Sequence, residues 1–135
     1  MRRYRQLAHT ADIGLEACGK DLGEAFAGAA CGMFSLMTDR RRIRLKDTCR
    51  LAIAESDLEG LLFSFLNRLI YLFDAEQRLF RCCRVKIQGS SLEAGLMGER
   101  FDPARHAIKI GIKGATYHAL AVDGRQNRVR VFFDI

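Results

Sequence analysis

The chain has 135 residues, the size of one compact domain, and we predict a single domain over residues 1–135. With 49% hydrophobic and 28% charged residues it is not a disordered polypeptide, and no apolar run approaches the roughly 20 residues that span a bilayer. Its 22 Lys and Arg exceed its 16 Asp and Glu, for a net charge of +6, an excess typical of proteins that bind nucleic acids.

The first half of the chain predicts two strands and an intervening helix. Residues 13–17 alternate between apolar and other side chains, the pattern of a half-buried strand. In Asp21–Asp39, apolar residues recur every three or four positions, which predicts a helix. Asp21 followed by Glu24 predicts a capped start for that helix. A short alternation at residues 51–53 predicts the next strand.

A second helix is predicted from Ser56 to about Asp74. Glu59 completes an S-x-x-E capping box with Ser56, and the apolar face is broad, so we expect this helix to be the central one of the core. Five short alternating runs follow and predict strands at Arg81–Gln88, Leu92–Gly98, Ala107–Lys113, Tyr117–Val122 and Arg128–Asp134. This order predicts an α+β fold, with two amphipathic helices packed on a largely antiparallel or mixed β-sheet.

The cysteines indicate a reduced protein. There are five of them, with no C-x-x-C pair, which fits neither a disulfide framework nor a zinc site. Cys82 and Cys83 are adjacent, so on a strand they point to opposite faces and cannot bind one metal together. We expect small buried hydrophobic residues in a cytoplasmic protein. The arginine-rich N-terminus lacks the apolar segment of a secretory signal.

Carboxylates at the two ends of the chain suggest a cation site. Asp12 immediately precedes the first predicted strand, and Asp134 and the α-carboxylate of Ile135 end the last one. Two anionic groups held close together are costly unless a cation or a donor compensates them. Calcium, which takes about 6–8 oxygen ligands in irregular geometry, would serve. The alternative is a solvated chain end.

Basic residues support a second hypothesis. The run Arg40–Arg44 holds four arginines and predicts either a phosphate-contacting patch or a solvated loop. Together with Arg2, Arg3 and Arg5 it makes a direct RNA-binding module or RNA chaperone the alternative function.

Three histidines, His9, His106 and His118, are candidate general bases because the imidazole pKa lies near neutrality. No serine or cysteine arrangement surrounds them, so we expect hydrogen-bonding roles. A hydrolase that uses His106 or His118 is the third hypothesis.

Several segments, taken together and in order, resemble the archease family. The first of these segments is H-T-A-D-I-G, near the start of the sequence, and the last is D-I, at its end. Between them lie a helix ending M-T-D, a helix with L-I-Y-L-F-D, a G-E-x-F-D-P-x-R-H stretch and a strand similar to K-A-x-T-Y-H. In this sequence they are His9–Gly14, Met37–Asp39, Leu69–Asp74, Gly98–His106, Lys113–His118 and Asp134–Ile135. Gly114 stands where the family usually has Ala.

The resemblance implies a non-catalytic activator of the GTP-dependent RNA ligase that joins tRNA halves and other RNAs with 2′,3′-cyclic phosphate or 3′-phosphate ends. Such a protein promotes guanylylation of the ligase histidine and multiple turnover, while GTP and manganese belong to the ligase. The family's calcium-type metal site corresponds to Asp12, Asp134 and Ile135. Asp39 and Lys113 lie in matched motifs and are expected to contribute to the same surface.

Overall fold

The described part of the chain forms two helices and seven strands. The computed structural model describes residues 3–7 and 12–135. The helices are α1 (Leu22–Met37) and α2 (Leu58–Glu76), and a single 3-10 turn covers Arg40–Arg42. The strands, in chain order, are β1 (Arg3–Leu7), β2 (Asp12–Cys18), β3 (Asp47–Ala54), β4 (Arg78–Gln88), β5 (Ser91–Arg100), β6 (Gly114–Asp123) and β7 (Arg128–Asp134).

The strands form two separate sheets. One has four strands in the order β1-β2-β7-β6, and the other has three in the order β3-β5-β4. Every pairing is antiparallel, so the predicted α+β class with antiparallel pairing is confirmed. Because β7 lies between β2 and β6, the last strand occupies the interior of the four-stranded sheet and connects its N-terminal and C-terminal parts.

Helix α1 is the more deeply buried helix. It contacts β1, β2 and β7 in one sheet and β4 in the other, and Phe26, Met33 and Phe34 are buried. Helix α2 contacts β6 and the three-stranded sheet but leaves one face in solvent. The prediction that α2 is the central helix is therefore wrong. Small residues let α1 approach closely: a Cβ on Gly23 would lie 2.1 Å from the Val85 carbonyl oxygen.

The segment predicted as a strand at Ala107–Lys113 is instead irregular, so that prediction is wrong. Its polar groups bond to the end of α1. The Lys109 N–H donates to the Met37 carbonyl at 2.7 Å, and the Thr38 hydroxyl donates to the Ala107 carbonyl at 2.8 Å. Residues 101–113 thus form a loop, called here the 101–113 loop, that joins β5 to β6. Sequence alternation alone could not reveal partners so far away in the chain.

The helix caps are only partly as predicted. At α1, the Asp21 carboxylate accepts the Glu24 N–H at 2.8 Å, as expected. At α2, the cap is Asp57 rather than Ser56: its carboxylate accepts the Gly60 N–H at 2.7 Å. Ionised Asp is also favoured by the partial positive charge of a helix N-terminus.

Asp57→Ala is expected to lower the free energy of unfolding by about 1 kcal/mol, the usual value of an N-cap. Ser56→Ala, one residue outside the cap, should change it by no more than a few tenths of that. Urea denaturation of both variants measures the difference. Equal losses for the two variants would contradict the assignment of the cap.

Cys31 and Cys83 are buried, as expected for small apolar residues, whereas Cys18, Cys49 and Cys82 are partly exposed. In the described part of the chain, no helix is both long enough and apolar enough to cross a membrane.

Candidate functional site

The side chains of two aspartates from opposite ends of the sequence lie side by side on a strand pair. Asp12 is the first residue of β2 and Asp134 is the last residue of β7, and the two are direct partners in the antiparallel register. Directly opposite residues have Cα atoms about 4.5–5.5 Å apart and side chains on the same face. The sheet register therefore brings together two acidic residues that are more than 120 positions apart in the sequence.

Asp134 is held from both sides by main-chain pairing. It pairs with Asp12 on β2 and with Gly114 on β6, and its carbonyl accepts the Lys113 N–H at 2.8 Å. The main chain of Lys113 thus lies at the site, at the point where the 101–113 loop enters β6. Its side chain is exposed. Ile135 follows directly and is also exposed.

A residue that the sequence analysis missed anchors this edge of the sheet. The Asn67 side chain of α2 accepts the Ala115 N–H at 3.0 Å and donates to the Ala115 carbonyl at 3.3 Å. A Cβ on Gly114 would lie 3.3 Å from the Asn67 carbonyl oxygen, so the glycine gives this amide room. Polar Asn on an otherwise apolar helix face was the signal available in the sequence.

An exposed tyrosine of β6 packs against α2 farther along this strand. The Tyr117 ring stacks on Phe63 of α2 at 4.1 Å between centroids, yet 60% of Tyr117 is exposed. Between Thr116 and Ala121 the register with β7 is broken, and Ala119 adopts a left-handed conformation with φ of 54°. Such irregularities redirect side chains, and here the three consecutive residues 117–119 are exposed to solvent.

A buried ionic cluster, called the Glu99 cluster, orders the 101–113 loop. One carboxylate oxygen of Glu99 accepts the Arg44 N–H at 2.7 Å and hydrogen bonds from the side chains of Arg105 and His106. The Asp102 N–H donates to the Nδ1 atom of His106 at 2.9 Å. The imidazole hydrogen therefore lies on Nε2, which donates to Glu99 at 2.9 Å.

The cluster favours an ionised Glu99. Burial acts to raise the pKa of this carboxyl group. Hydrogen bonds from the Arg44 main chain and from the Arg105 and His106 side chains outweigh burial and lower the pKa from 4.5 to about 2. Glu99 is thus a charged anchor at neutral pH.

His106 has both ring nitrogens occupied and only 2% of its surface exposed, which confirms a hydrogen-bonding role and leaves it no access to a substrate. His118 is exposed, with its ring 5.9 Å from that of Phe132. His9 lies outside the described residues.

Most of the predicted basic run has structural partners. Arg40 donates to the Arg81 carbonyl, and Arg42 donates to the Arg105 carbonyl at 2.9 Å. Arg41 pairs with Asp39, whose carboxylate also caps the 3-10 turn by accepting the Arg41 N–H at 3.1 Å. Asp39 therefore caps the 3-10 turn locally, and its contribution to the surface around Asp134 stays a prediction.

The RNA-binding alternative also depends on three arginines near the N-terminus. Arg5 forms an ion pair with Glu16 at 2.6 Å. Arg2 lies outside the described residues, as does the side chain of Arg3.

The donor set at the ends of β2 and β7 consists of oxygen atoms. Asp12 and Asp134 offer hard carboxylate ligands and Ile135 offers main-chain oxygens, the type that calcium prefers. Within residues 3–7 and 12–135 there is no cluster of three or more His, Cys, Asp or Glu side chains that could bind a metal. The residues that precede Asp12 in the H-T-A-D-I-G segment lie outside the described ranges.

Comparison with known proteins identifies the family. The model of the Archease protein family (MTH1598/TM1083) matches residues 4–135. The chain belongs to the archease family. The archease of Thermococcus gammatolerans is 39% identical over 127 residues, which cover 91% of this chain and 89% of that protein. The archease of Sulfurisphaera tokodaii is 36% identical over 129 residues, which cover 94% and 93%.

A solved structure shows the same fold. The solution structure of Methanobacterium thermoautotrophicum protein 1598 superposes with a TM-score of 0.78 and 26% sequence identity, over 98% of each chain. The resemblance read from the six sequence segments is thus confirmed. Family membership makes the chain an accessory protein of ligase activation in tRNA splicing.

Proposed function

We propose that this archease activates a cytoplasmic GTP-dependent 3′-phosphate RNA ligase by promoting guanylylation of the ligase and its repeated turnover. The observation that carries the proposal is the pair Asp12 and Asp134, placed in direct register at one end of an ordered sheet. The chain itself performs no catalysis in this proposal. GTP and manganese belong to the ligase, and tRNA halves are reached through it.

We further propose that Asp12, Asp134 and Ile135 hold a divalent cation, most simply calcium. Carboxylates directly opposite each other on a strand pair repel, and the repulsion favours a bound cation. When bound, the ion would neutralise the pair and link β2 to β7. The main-chain pairing of Asp134 with β2 and β6 fixes the backbone position from which its carboxylate extends.

The proposed mechanism works by positioning. A rigid acidic edge inserted near the nucleotide pocket of the ligase would hold the ligase's own metal ions and GTP in line with its histidine. Correct placement of reactants can lower a barrier by several kcal/mol without any group being donated. The exposed residues next to the pair, Lys113 and Ile135, would form part of the contact surface.

The test is guanylylation of a purified ligase with labelled GTP and Mn²⁺, with and without the archease. We expect an increase in the guanylylation rate of at least tenfold and more than one product per ligase. Archease treated with EGTA and desalted should stimulate less until Ca²⁺ is restored. Identical guanylylation rates with and without archease would overturn the proposed function. Equal stimulation by untreated and EGTA-treated archease would overturn only the proposal of a bound divalent cation.

A further inference from the structure

Three basic residues without a side-chain partner in the described part of the chain lie together on the outer face of the three-stranded sheet. In the register, Arg50 of β3 and Arg84 of β4 are both direct partners of Gly95 of β5, so the two arginines flank a glycine. Lys86 lies on the same face, two residues farther along β4. We call this surface the basic sheet face. All three cations are exposed, and none has an ion pair or side-chain hydrogen bond within the described residues.

Because Gly95 has no side chain, the sheet surface between the two arginines is unobstructed. A Cβ built on Gly95 meets no atom within 4 Å. The surface is part of a groove of about 1200 Å³ that Arg50, Arg84, Lys86 and Arg40 line. A long ligand can therefore lie across the middle strand and meet a guanidinium on each side.

The acidic residues of the groove do not neutralise these arginines. Asp21 and Glu24 accept N–H groups around the first turn of α1, from Glu24 and Lys20 respectively. Glu93 is the direct partner of Lys86 but forms no ion pair with it in the described structure. The two arginines thus face solvent as like charges on either side of β5, about 10 Å apart by the usual strand spacing, and one phosphate chain that crosses β5 can contact both.

The chemistry of the face favours a polyanion over a protein. Guanidinium groups bind phosphate oxygens through paired, charge-assisted hydrogen bonds. Protein interfaces depend on buried aromatic and aliphatic anchors. The outward positions of β3, β4 and β5 carry no aromatic residue, and Met97 is their single large apolar side chain.

We propose that the basic sheet face binds the phosphate backbone of RNA. The choice of RNA among polyanions rests on the proposed function, since the family acts in tRNA splicing. The face is formed by a different sheet from the one that carries Asp12 and Asp134. One archease molecule would therefore present a carboxylate pair to the ligase and cations to the RNA that the ligase joins. Of the Arg40–Arg44 run, Arg40 lines the groove, but Arg40, Arg41 and Arg42 already have partners, so the proposed contacts are those of Arg50 and Arg84.

The test measures RNA binding by the whole chain without ligase. Fluorescence anisotropy with a labelled 20-nucleotide single-stranded RNA is recorded at 50 and 200 mM KCl. We expect R50Q/R84Q to weaken binding at 50 mM at least fivefold and to lower the slope of log K against log salt by about 1.4, since each phosphate contact on a single strand contributes about 0.7. R68Q/R125Q, which removes two exposed arginines outside the face, should change affinity less than twofold.

Several outcomes would overturn this inference. Absence of RNA binding by the wild type at 50 mM KCl would do so, and so would equal losses in the two double variants, which would indicate non-specific charge. Unchanged RNA affinity together with weaker ligase binding in R50Q/R84Q would reassign the face to protein docking. Circular dichroism verifies that both variants are folded. Because RNA-free guanylylation does not require this face, R50Q/R84Q should still stimulate it, so failure here is distinguishable from failure of the proposed function.

Discussion

Asp134→Asn is expected to lower archease stimulation of ligase guanylylation at least tenfold while leaving the fold intact. The change removes one charge from the pair Asp12–Asp134 and keeps the size of the side chain. The main-chain pairing of residue 134 with β2 and β6 does not depend on the carboxylate. Asp12→Asn should have the same effect, because the two carboxylates act together. The measurement is the initial rate of covalent ligase labelling by GTP.

Thermal unfolding separates loss of the site from loss of the structure. A ligand that binds only the folded state stabilises it, by about 2.7 kcal/mol at a concentration of 100 times Kd. Calcium should therefore raise the Tm of the wild type but not that of Asp134→Asn. In EGTA the Tm of the variant should be close to that of the wild type, since the main-chain pairing of residue 134 does not depend on the carboxylate. Asp47→Asn, an exposed carboxylate at the start of β3, is the matched control and should stimulate normally. Full stimulation by folded Asp134→Asn would refute the assigned role of the pair.

The second large effect is expected from Glu99→Ala, which should destabilise the protein by about 3 kcal/mol. The substitution leaves the buried His106 and the guanidinium of Arg105 without their shared acceptor, and removal of one partner from a buried ion pair typically costs this much. Glu93→Ala, an exposed glutamate on the same strand, should cost less than about 0.5 kcal/mol. Urea denaturation at pH 7 compares the two variants. Equal stability of Glu99→Ala and the wild type would contradict the role of the Glu99 cluster.

The same cluster predicts a loss of stability in acid. The folded-state pKa of Glu99 is about 2, below the ordinary value of 4.5, so its contribution is fully present above pH 4.5 and is lost as the pH falls toward 2. Linkage places the loss at about 2 kcal/mol by pH 3 and near zero at pH 5. In Glu99→Gln this part of the pH dependence should be missing. If the difference in the free energy of unfolding between the wild type and Glu99→Gln stays constant from pH 7 to pH 3, this would argue against an ionised Glu99.

Patterns of short range were sufficient to predict much of this fold. Helix α1 was predicted within two residues at its C-terminal end, together with its Asp21 cap, because helical periodicity and capping depend on neighbours three or four residues apart. Strand β7 was predicted over its full range, Arg128–Asp134, from its apolar alternation. The six matched segments identified the family for the same reason: each is a local run of residue types.

The amino-acid sequence by itself thus determined the fold class, most of the elements and the family. It also determined which carboxylates to examine. The tertiary structure determined which groups each of these side chains lies beside or bonds to. It placed Asp12 opposite Asp134 and gave Arg40 and Arg42 backbone carbonyls as partners. It also left Arg50 and Arg84, on either side of Gly95, without a side-chain partner among the residues described. These outcomes depend on hydrogen bonds and strand register between residues distant in the chain, and no local pattern encodes such pairings.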